Sequence, residues 1–312
     1  MFSPVTRTAA RPLLATILAV SAASGLAACG VDSPGSGRLQ VVAAFYPLQY
    51  AVERVTGGNA DVTNLTQPGK EPHDLELSVH QVAEVAKADL VVYEAHFQAA
   101  VDAAVDDNRT GPSVDAAAHV DLLPAPDPHG HEADGEEHGD LDPHFWQDPL
   151  RMASLGDALA KELGTVDPEH AREYTRNAAA LRSDLVDLDA AYRTGLASCQ
   201  RDTIVVNHDA FGYLGTYGLH IEAISGLSPD AEPTASTLQH LHDLIRSHHL
   251  TTVFSETLVS PRAADAIAGD LGIHTAVLDP LEGLTSEAEQ NGGDYLTVMR
   301  QNLALLKKAN GC

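Results

Sequence analysis

The sequence predicts an α/β protein of two lobes, each a parallel sheet covered by helices, with one long helix joining them. Short apolar runs alternate with amphipathic helical segments through both halves of the 312-residue chain. Between the halves, apolar residues recur at alternating steps of three and four, the spacing of one helix face. With 44% hydrophobic residues the chain can build a large core. We expect an N-terminal lobe at 39–164, a linking helix at 165–199 and a C-terminal lobe at 200–312.

The first half begins with the apolar run LQVVAAF at 39–45, which predicts a buried strand that YPL at 46–48 ends, followed by a helix that the Gly57-Gly58 pair ends. Strand, helix, strand and helix patterns then follow in turn at 61–65, 78–88, 89–95 and 97–107. Another helix is predicted at 149–164. Alternation of this kind favours a parallel sheet with both faces covered.

The linking helix is predicted to begin at Asp167-Pro168 and to end near Ser198. Its apolar face comprises Ala171, Tyr174, Ala178, Leu181, Leu185, Leu188 and Tyr192. About thirty residues at 1.5 Å each give roughly 45 Å, enough to cross two lobes. The alternative is a dimeric coiled coil, which the small residues on this face disfavour, and we expect a monomer. The second half repeats the pattern, with strands predicted at 202–207, 219–224, 251–255 and 273–278, a helix at 209–218 between the first two, and a last helix at 294–308.

The N-terminus has the order of a secretory signal: two arginines, an apolar run from Leu13 to Val20, and LAAC at 26–29. This run is too short to span a bilayer stably. LAAC resembles a bacterial lipobox, so residues 1–28 are predicted to be a lipoprotein signal peptide and Cys29 the lipidated first residue, followed by a tether at 29–38. The protein would then lie outside the cytoplasm, anchored to the outer face of the cell membrane. Ordinary signal cleavage is the alternative.

Two further cysteines, Cys199 and Cys312, remain once Cys29 is set aside. Export to an oxidising compartment and the even number favour a disulfide between them, with two free thiols as the alternative.

The formal charge of −25 argues against nucleic acid as a partner and suits a protein that collects cations, although plain solubility explains it equally well. The stretch from Asp127 to Pro149 holds four histidines and eight carboxylates without Lys or Arg. Its front part, residues 127–139, is predicted to be a flexible insertion that collects zinc loosely through His129, His131 and His138. Its back part frames His144 between two Asp-Pro pairs, which predicts a fixed ligand.

Four candidate ligands follow predicted strand ends, two in each lobe: His73, His144, His208 and Asp279. In open α/β sheets, ligands bind beyond the carboxyl ends of the strands. Three imidazoles and one carboxylate suit tetrahedral Zn²⁺, so we predict one zinc ion in the cleft between the lobes. Glu256, Tyr46 and Asp209 are predicted to support this site, Glu256 being the one that could also bind the metal.

The motifs PGKEPHDLELS, DPHFWQDP, NHDAFGYLGTYGL, VFSETLVSPR and LDPLEG resemble those of the substrate-binding lipoproteins of ABC transporters for zinc and manganese, specifically the zinc-uptake branch. The resemblance covers nearly all of the mature chain. It implies two α/β lobes bridged by a rigid helix, with the metal between them, and ligands at the same four positions. It also implies that the protein captures Zn²⁺ and hands it to a membrane permease with its own ATPase. His208 stands where manganese members usually have Glu, which favours zinc.

Three other functions compete with zinc uptake. A manganese-specific member of the same family is one. A zinc hydrolase is another, but HEADG has Gly135 where HExxH needs its second His, and neither a nucleophile elbow nor a phosphate loop occurs. A carboxylate as fourth ligand would also leave no position for a reactive water, so we expect no enzyme. A surface adhesin or metal buffer stays open.

Overall fold

The computed structural model describes residues 37–125 and 141–312. These residues form an α/β fold with two four-stranded parallel sheets, which confirms the predicted fold class. The first sheet has the order β2-β1-β3-β4 and consists of β1 (Leu39–Ala43), β2 (Ala60–Asn64), β3 (Leu90–Tyr93) and β4 (Ser113–Asp115). A short antiparallel pair follows, β5 (Leu123–Pro124) and β6 (Leu141–Asp142). The second sheet has the order β10-β9-β7-β8 and consists of β7 (Thr203–Val206), β8 (His220–Ala223), β9 (Thr252–Ser255) and β10 (His274–Val277).

Helices cover these sheets and connect their strands. In the first half they are α1 (Tyr46–Thr56), α2 (Val79–Lys87), α3 (Ala99–Asn108) and α4 (Pro149–Val166). The helix between the halves is α5 (Ala171–Leu196), and the second half has α6 (Ala235–Ser247), α7 (Arg262–Leu271), α8 (Ser286–Gln290) and α9 (Tyr295–Asn310). Short 3-10 helices lie at Ala116–Ala118, Phe145–Gln147 and Gly212–Tyr217.

The long helix α5 buries the side chains that its periodicity singled out, from Tyr174 to Tyr192. It packs against α1 and α4 of the first half and against α9 at the end of the chain. A Cβ on Gly156 of α4 would lie 3.1 Å from a methyl carbon of Leu181, so the glycine lets the two helices approach closely. The helix therefore contacts structure from both halves, as its predicted length suggested.

Some elements differ from the prediction for local reasons. The sequence predicts the end of the first strand at 46–48, but helix α1 already begins at Tyr46. Pro47 suits this position because proline is favoured in the first turn of a helix. The predicted helix at 209–218 is only the 3-10 helix Gly212–Tyr217, since its glycines lower helix propensity. Helix α5 begins four residues after Asp167, whose carboxylate instead accepts the hydroxyl of Tyr174 at 2.6 Å.

Strands β4 to β6, with two or three residues each, are too short for a sequence pattern to reveal. Cys199 and Cys312 are joined by a disulfide in the structure, with Cα atoms 4.0 Å apart across 113 residues of sequence. In the part of the chain that the structure describes, no helix combines the length and the apolar character needed to cross a membrane.

Candidate metal site

Three imidazoles and one carboxylate converge between the two sheets. His73, His144, His208 and Glu282 each offer one ligand atom, and these atoms all lie within 4.8 Å of one another. The Nε2 atoms of His73 and His144 both lie 3.3 Å from Oε1 of Glu282, and Nε2 of His208 lies 2.9 Å from it. One carboxylate oxygen therefore faces all three imidazoles.

His144 is aimed at this point by the carboxylate of Asp142. The backbone N–H and the Nδ1–H of His144 donate to Oδ1 of Asp142 at 2.9 and 2.8 Å. Because a carboxylate only accepts, Nδ1 carries the proton and Nε2 is left for the site. Nε2 is buried and has no hydrogen-bond partner among the described residues. An orphaned buried nitrogen of this kind fits a metal ligand.

The segment that carries His144 is fastened to the second half of the chain. The indole N–H of Trp146 donates to the carbonyl of Pro280 at 2.8 Å. The hydroxyl of Tyr213 donates to the carbonyl of Asp142 at 2.6 Å. His144 belongs to the first half by sequence, but side chains and carbonyls of the second half fix its position.

His208 follows β7 and is oriented by Glu256, which follows β9. Its Nδ1 lies 2.7 and 2.8 Å from the two oxygens of Glu256, and its backbone N–H donates to the same carboxylate at 2.9 Å. Parallel pairing of β7 with β9 places these two strand ends side by side. Glu256 thus faces Nδ1, on the far side of the ring from the other three candidate ligands. Tyr46 and Asp209, also predicted to support the site, make no hydrogen bond to its four side chains among the described residues.

His73 lies in the loop between β2 and α2. Its ring packs edge-on against Phe97, with centroids 4.7 Å apart, and its backbone N–H donates to Glu71 at 3.0 Å. Within the described ranges, the structure shows no hydrogen bond to its Nδ1. Unlike the other two imidazoles, this ring therefore has no carboxylate partner at Nδ1 in the described ranges.

The carboxylate in the cluster is Glu282, not the predicted Asp279. Oδ1 of Asp279 accepts the backbone N–H of Leu281 at 2.8 Å and so closes a local turn. Leu281 has a positive φ of 62°, which reverses the chain, and Glu282 follows it, fully buried beside the imidazoles. Sequence reasoning missed Glu282 and Asp142, although both stand in the quoted motifs, LDPLEG and DPHFWQDP.

Burial and mutual contact shift the pKa values of this cluster in opposite directions. Burial raises the pKa of Glu282, but His208 and His73 outweigh it and hold that pKa well below its usual range. Burial lowers the pKa of His208, yet Glu282 and Glu256 together raise it well above the usual value. The pKa of His144 is raised in the same way by Asp142 and Glu282, whereas burial dominates for His73 and lowers its pKa. Without metal, the charged form of Glu282 and the protonated forms of His144 and His208 are therefore favoured, whereas His73 is favoured as the neutral imidazole.

Other predicted features fall elsewhere. Cys29 and the loop histidines His129, His131 and His138 lie outside the described residues. In the ranges that are described, the cluster above is the one group of His, Cys, Asp and Glu side chains close enough to hold a metal ion.

The chain resembles known zinc proteins along most of its length. The sequence profile of the family described as "ZnuA: Zinc-uptake complex component A periplasmic" matches residues 41–309. The zinc-binding lipoprotein AdcA of Streptococcus pneumoniae (strain ATCC BAA-255 / R6) is 35% identical over 303 residues, which cover 95% of this chain and 60% of that protein. The high-affinity zinc uptake system protein ZnuA of Bacillus subtilis (strain 168) is 32% identical over 304 residues, 90% of this chain and 92% of that protein.

A solved structure gives the same result for the fold. The crystal structure of the Zn(II)-bound ZnuA-like domain of Streptococcus pneumoniae AdcA matches with a TM-score of 0.75 and 35% identity, covering 88% of this chain and 100% of that one. The chain spans only about 60% of the length of full AdcA. The family match nevertheless covers nearly all of the described residues, and this chain belongs to the ZnuA family of zinc-uptake complex components.

Proposed function

We propose that this protein captures Zn²⁺ outside the cytoplasm through His73, His144, His208 and Glu282. The observation that carries the proposal is the convergence of three Nε2 atoms and one carboxylate oxygen within 4.8 Å. Zn²⁺ with bonds of about 2 Å at tetrahedral corners separates its ligand atoms by roughly 3.3 Å. The Nε2 to Oε1 distances of 2.9 to 3.3 Å agree with that spacing, so small adjustments admit the ion.

The ligand types favour zinc over the two metal-based alternatives. Three nitrogens and one oxygen suit zinc, whereas manganese prefers a larger share of carboxylate and water oxygens. A zinc hydrolase keeps one coordination position open for water. With Glu282 as fourth ligand the shell is closed, which supports binding without catalysis.

We further propose that the protein delivers its zinc to a separate membrane permease driven by its own ATPase. The relatives' names support this, since one is part of a zinc uptake system and another is a zinc-binding lipoprotein. The sequence carries no nucleotide-binding motif of its own. We also propose that a lipid on Cys29 anchors the protein to the membrane and that the protein acts as a monomer.

Competitive titration of zinc against a chelator of known affinity tests the site. Ala at His144, His208 or Glu282 should each weaken zinc binding by about 100-fold or more, because each removes one of four bonds. Asp279→Asn is the matched control, since it alters a partly buried carboxylate three residues from Glu282 that accepts a backbone N–H within a local turn. Wild-type affinity in E282A together with a large loss in D279N would reject Glu282 as ligand. Zinc uptake by a deletion strain that carries either the wild-type protein or H208A tests whether uptake depends on zinc capture at this site.

A further inference from the structure

We propose that Gln98 is a positioning residue for zinc binding, which it supports by holding the loop of His73. The inference rests on the proposed function. Gln98 is 1% exposed and caps the N-terminus of α3, where its carbonyl accepts the backbone N–H groups of Val101 and Asp102. Its backbone is therefore fixed to a helix, and its side chain reaches from that base toward the site.

The amide of Gln98 spans two elements. Its Nε2 donates to the carbonyl of Pro72, the residue before His73, at 3.0 Å. Nε2 also donates to Oγ1 of Thr66 at 3.1 Å, and that hydroxyl donates in turn to the carbonyl of Ala44 at 2.8 Å. A chain of three hydrogen bonds thus connects the His73 loop with the segment that follows β1, one of the two inner strands of the sheet.

The orientation of the amide follows from its neighbours. The Pro72 carbonyl only accepts, so turning the amide over would set two acceptors against each other. In the orientation found, the side-chain oxygen Oε1 of Gln98 is buried with no partner among the described residues. An unsatisfied buried acceptor is unfavourable for stability. The side chain of Gln98 thus donates two hydrogen bonds although its own oxygen is buried without a partner. We take this as a sign that the side chain serves to position the His73 loop rather than to stabilise the fold.

His73 depends on this support more than the other imidazoles do. Asp142 and Glu256 orient the rings of His144 and His208 directly. His73 has the ring of Phe97, the neighbour of Gln98, at 4.7 Å, and a backbone that Gln98 ties down one residue earlier. Removing the tie should let the loop move and the His73 bond to zinc break more often.

A double-mutant cycle tests this proposal. Gln98→Met keeps the size of the side chain but removes both donors. We expect Q98M to weaken zinc binding about tenfold, mainly through faster zinc release, and to have little further effect in the H73A background. The visible absorption of bound Co²⁺ should lose intensity in Q98M, as it does when water replaces an imidazole.

Gln81→Met is the matched control. Gln81 donates a comparable side-chain hydrogen bond, to the carbonyl of Leu65 at 2.8 Å, in the same lobe. Q81M should leave zinc affinity and the Co²⁺ spectrum unchanged. If Q98M does not fold, Thr66→Val removes the next hydroxyl in the chain and should give a smaller loss of affinity that also vanishes in the H73A background.

Three results would overturn the inference. Wild-type zinc release in Q98M is one. An equal loss of affinity from Q98M in the wild-type and H73A backgrounds is another, because the side chain would then act on the whole fold. Wild-type affinity in H73A itself would reject His73 as ligand and this inference with it. That last result leaves the effects of H144A, H208A and E282A to decide the proposed function separately.

Discussion

The carboxylate of Glu256 holds His208 at two points, accepting both its Nδ1–H and its backbone N–H. Ring and main chain of the candidate ligand are thereby fixed by one side chain from the neighbouring strand end. Glu256→Ala should therefore weaken zinc binding about 10- to 100-fold without removing a ligand. Glu222→Ala is the control, because its carboxylate lies 3.4 Å from Nε2 of a surface histidine, His240. Unchanged affinity in E256A, measured by chelator competition, would show that His208 needs no such partner.

Zinc affinity should fall as the pH is lowered, beginning above the ordinary imidazole pKa of about 6.5. Glu282 and the partner carboxylates raise the pKa of His144 and His208, so these rings hold protons that zinc must displace. Each displaced proton contributes up to about one decade of affinity per pH unit. Chelator competition between about pH 8 and 5 measures the slope. A flat profile down to about pH 6 would contradict the charge state inferred for the cluster.

The stability of the zinc-free protein should decrease as the pH is raised, whereas zinc affinity increases. His208 has a raised pKa, so its stabilising contribution is present at low pH and is lost as the pH rises through the folded-state value. Glu282 has a lowered pKa, so its contribution is present above its unfolded value and is lost only as the pH falls through the folded value. We expect the melting temperature of the zinc-free protein to fall from about pH 6 to 9, and the fall to shrink in H208A, as differential scanning calorimetry can show.

The disulfide between Cys199 and Cys312 should stabilise the fold without being needed to dock the C-terminus. The bond closes a loop across 113 residues, for which chain entropy gives about 4 to 5 kcal/mol as an upper value. The backbone N–H groups of Gln200 and Arg201 both donate to the carbonyl of Asn310 at 3.0 Å, so the terminus has other attachments. Urea unfolding of C199S/C312S should show the loss in free energy with zinc affinity kept. Thiol labelling of the unfolded, unreduced mature protein should modify neither residue.

Removal of the acidic, histidine-rich segment should leave the central site intact. Leu123 pairs with Asp142 and Pro124 with Leu141, so the two ends of the segment between them lie side by side. A two-residue Asn-Gly turn can therefore close the gap. Zinc titration of this variant should show a high-affinity site within about twofold of the original, and fewer zinc ions bound in total if the segment collects zinc as its sequence predicts. A loss of the high-affinity site would show that the segment supplies a ligand.

Sequence reasoning identified three of the four side chains in the cluster because each histidine follows a strand or stands in a rigid frame. The apolar face of α5 was also identified, because the buried side chains of a helix recur every three or four residues and this spacing is visible in the sequence. Element type was readable for long helices with a clear apolar face, but not at 209–218, where a short glycine-containing segment forms only a 3-10 helix. The pairing of β5 with β6 was not readable, because two-residue strands are set by contacts such as that of Tyr213 with Asp142 rather than by propensity.

The carboxylate of the cluster could not be identified from its neighbours in the sequence. Asp279 is closer to the end of β10, and strand ends were the guide. An Asp followed by Pro commonly uses its carboxylate to accept a nearby backbone N–H, as Asp279 does here. The choice between Asp279 and Glu282 depended on the reversed backbone at Leu281, which an L-residue seldom adopts and a sequence seldom reveals.

Trp146 is the one tryptophan of the chain, and its indole lies fully buried with its centroid 5.2 Å from that of His144. Zinc binding would change the charge and the protonation of this neighbouring ring, so we expect the emission of Trp146 to change when zinc binds. Intrinsic fluorescence, excited at a wavelength that tyrosine does not absorb, should therefore report zinc binding at His144. Zinc occupancy of the site could then be followed in real time in unlabelled protein, because the sequence contains no other tryptophan.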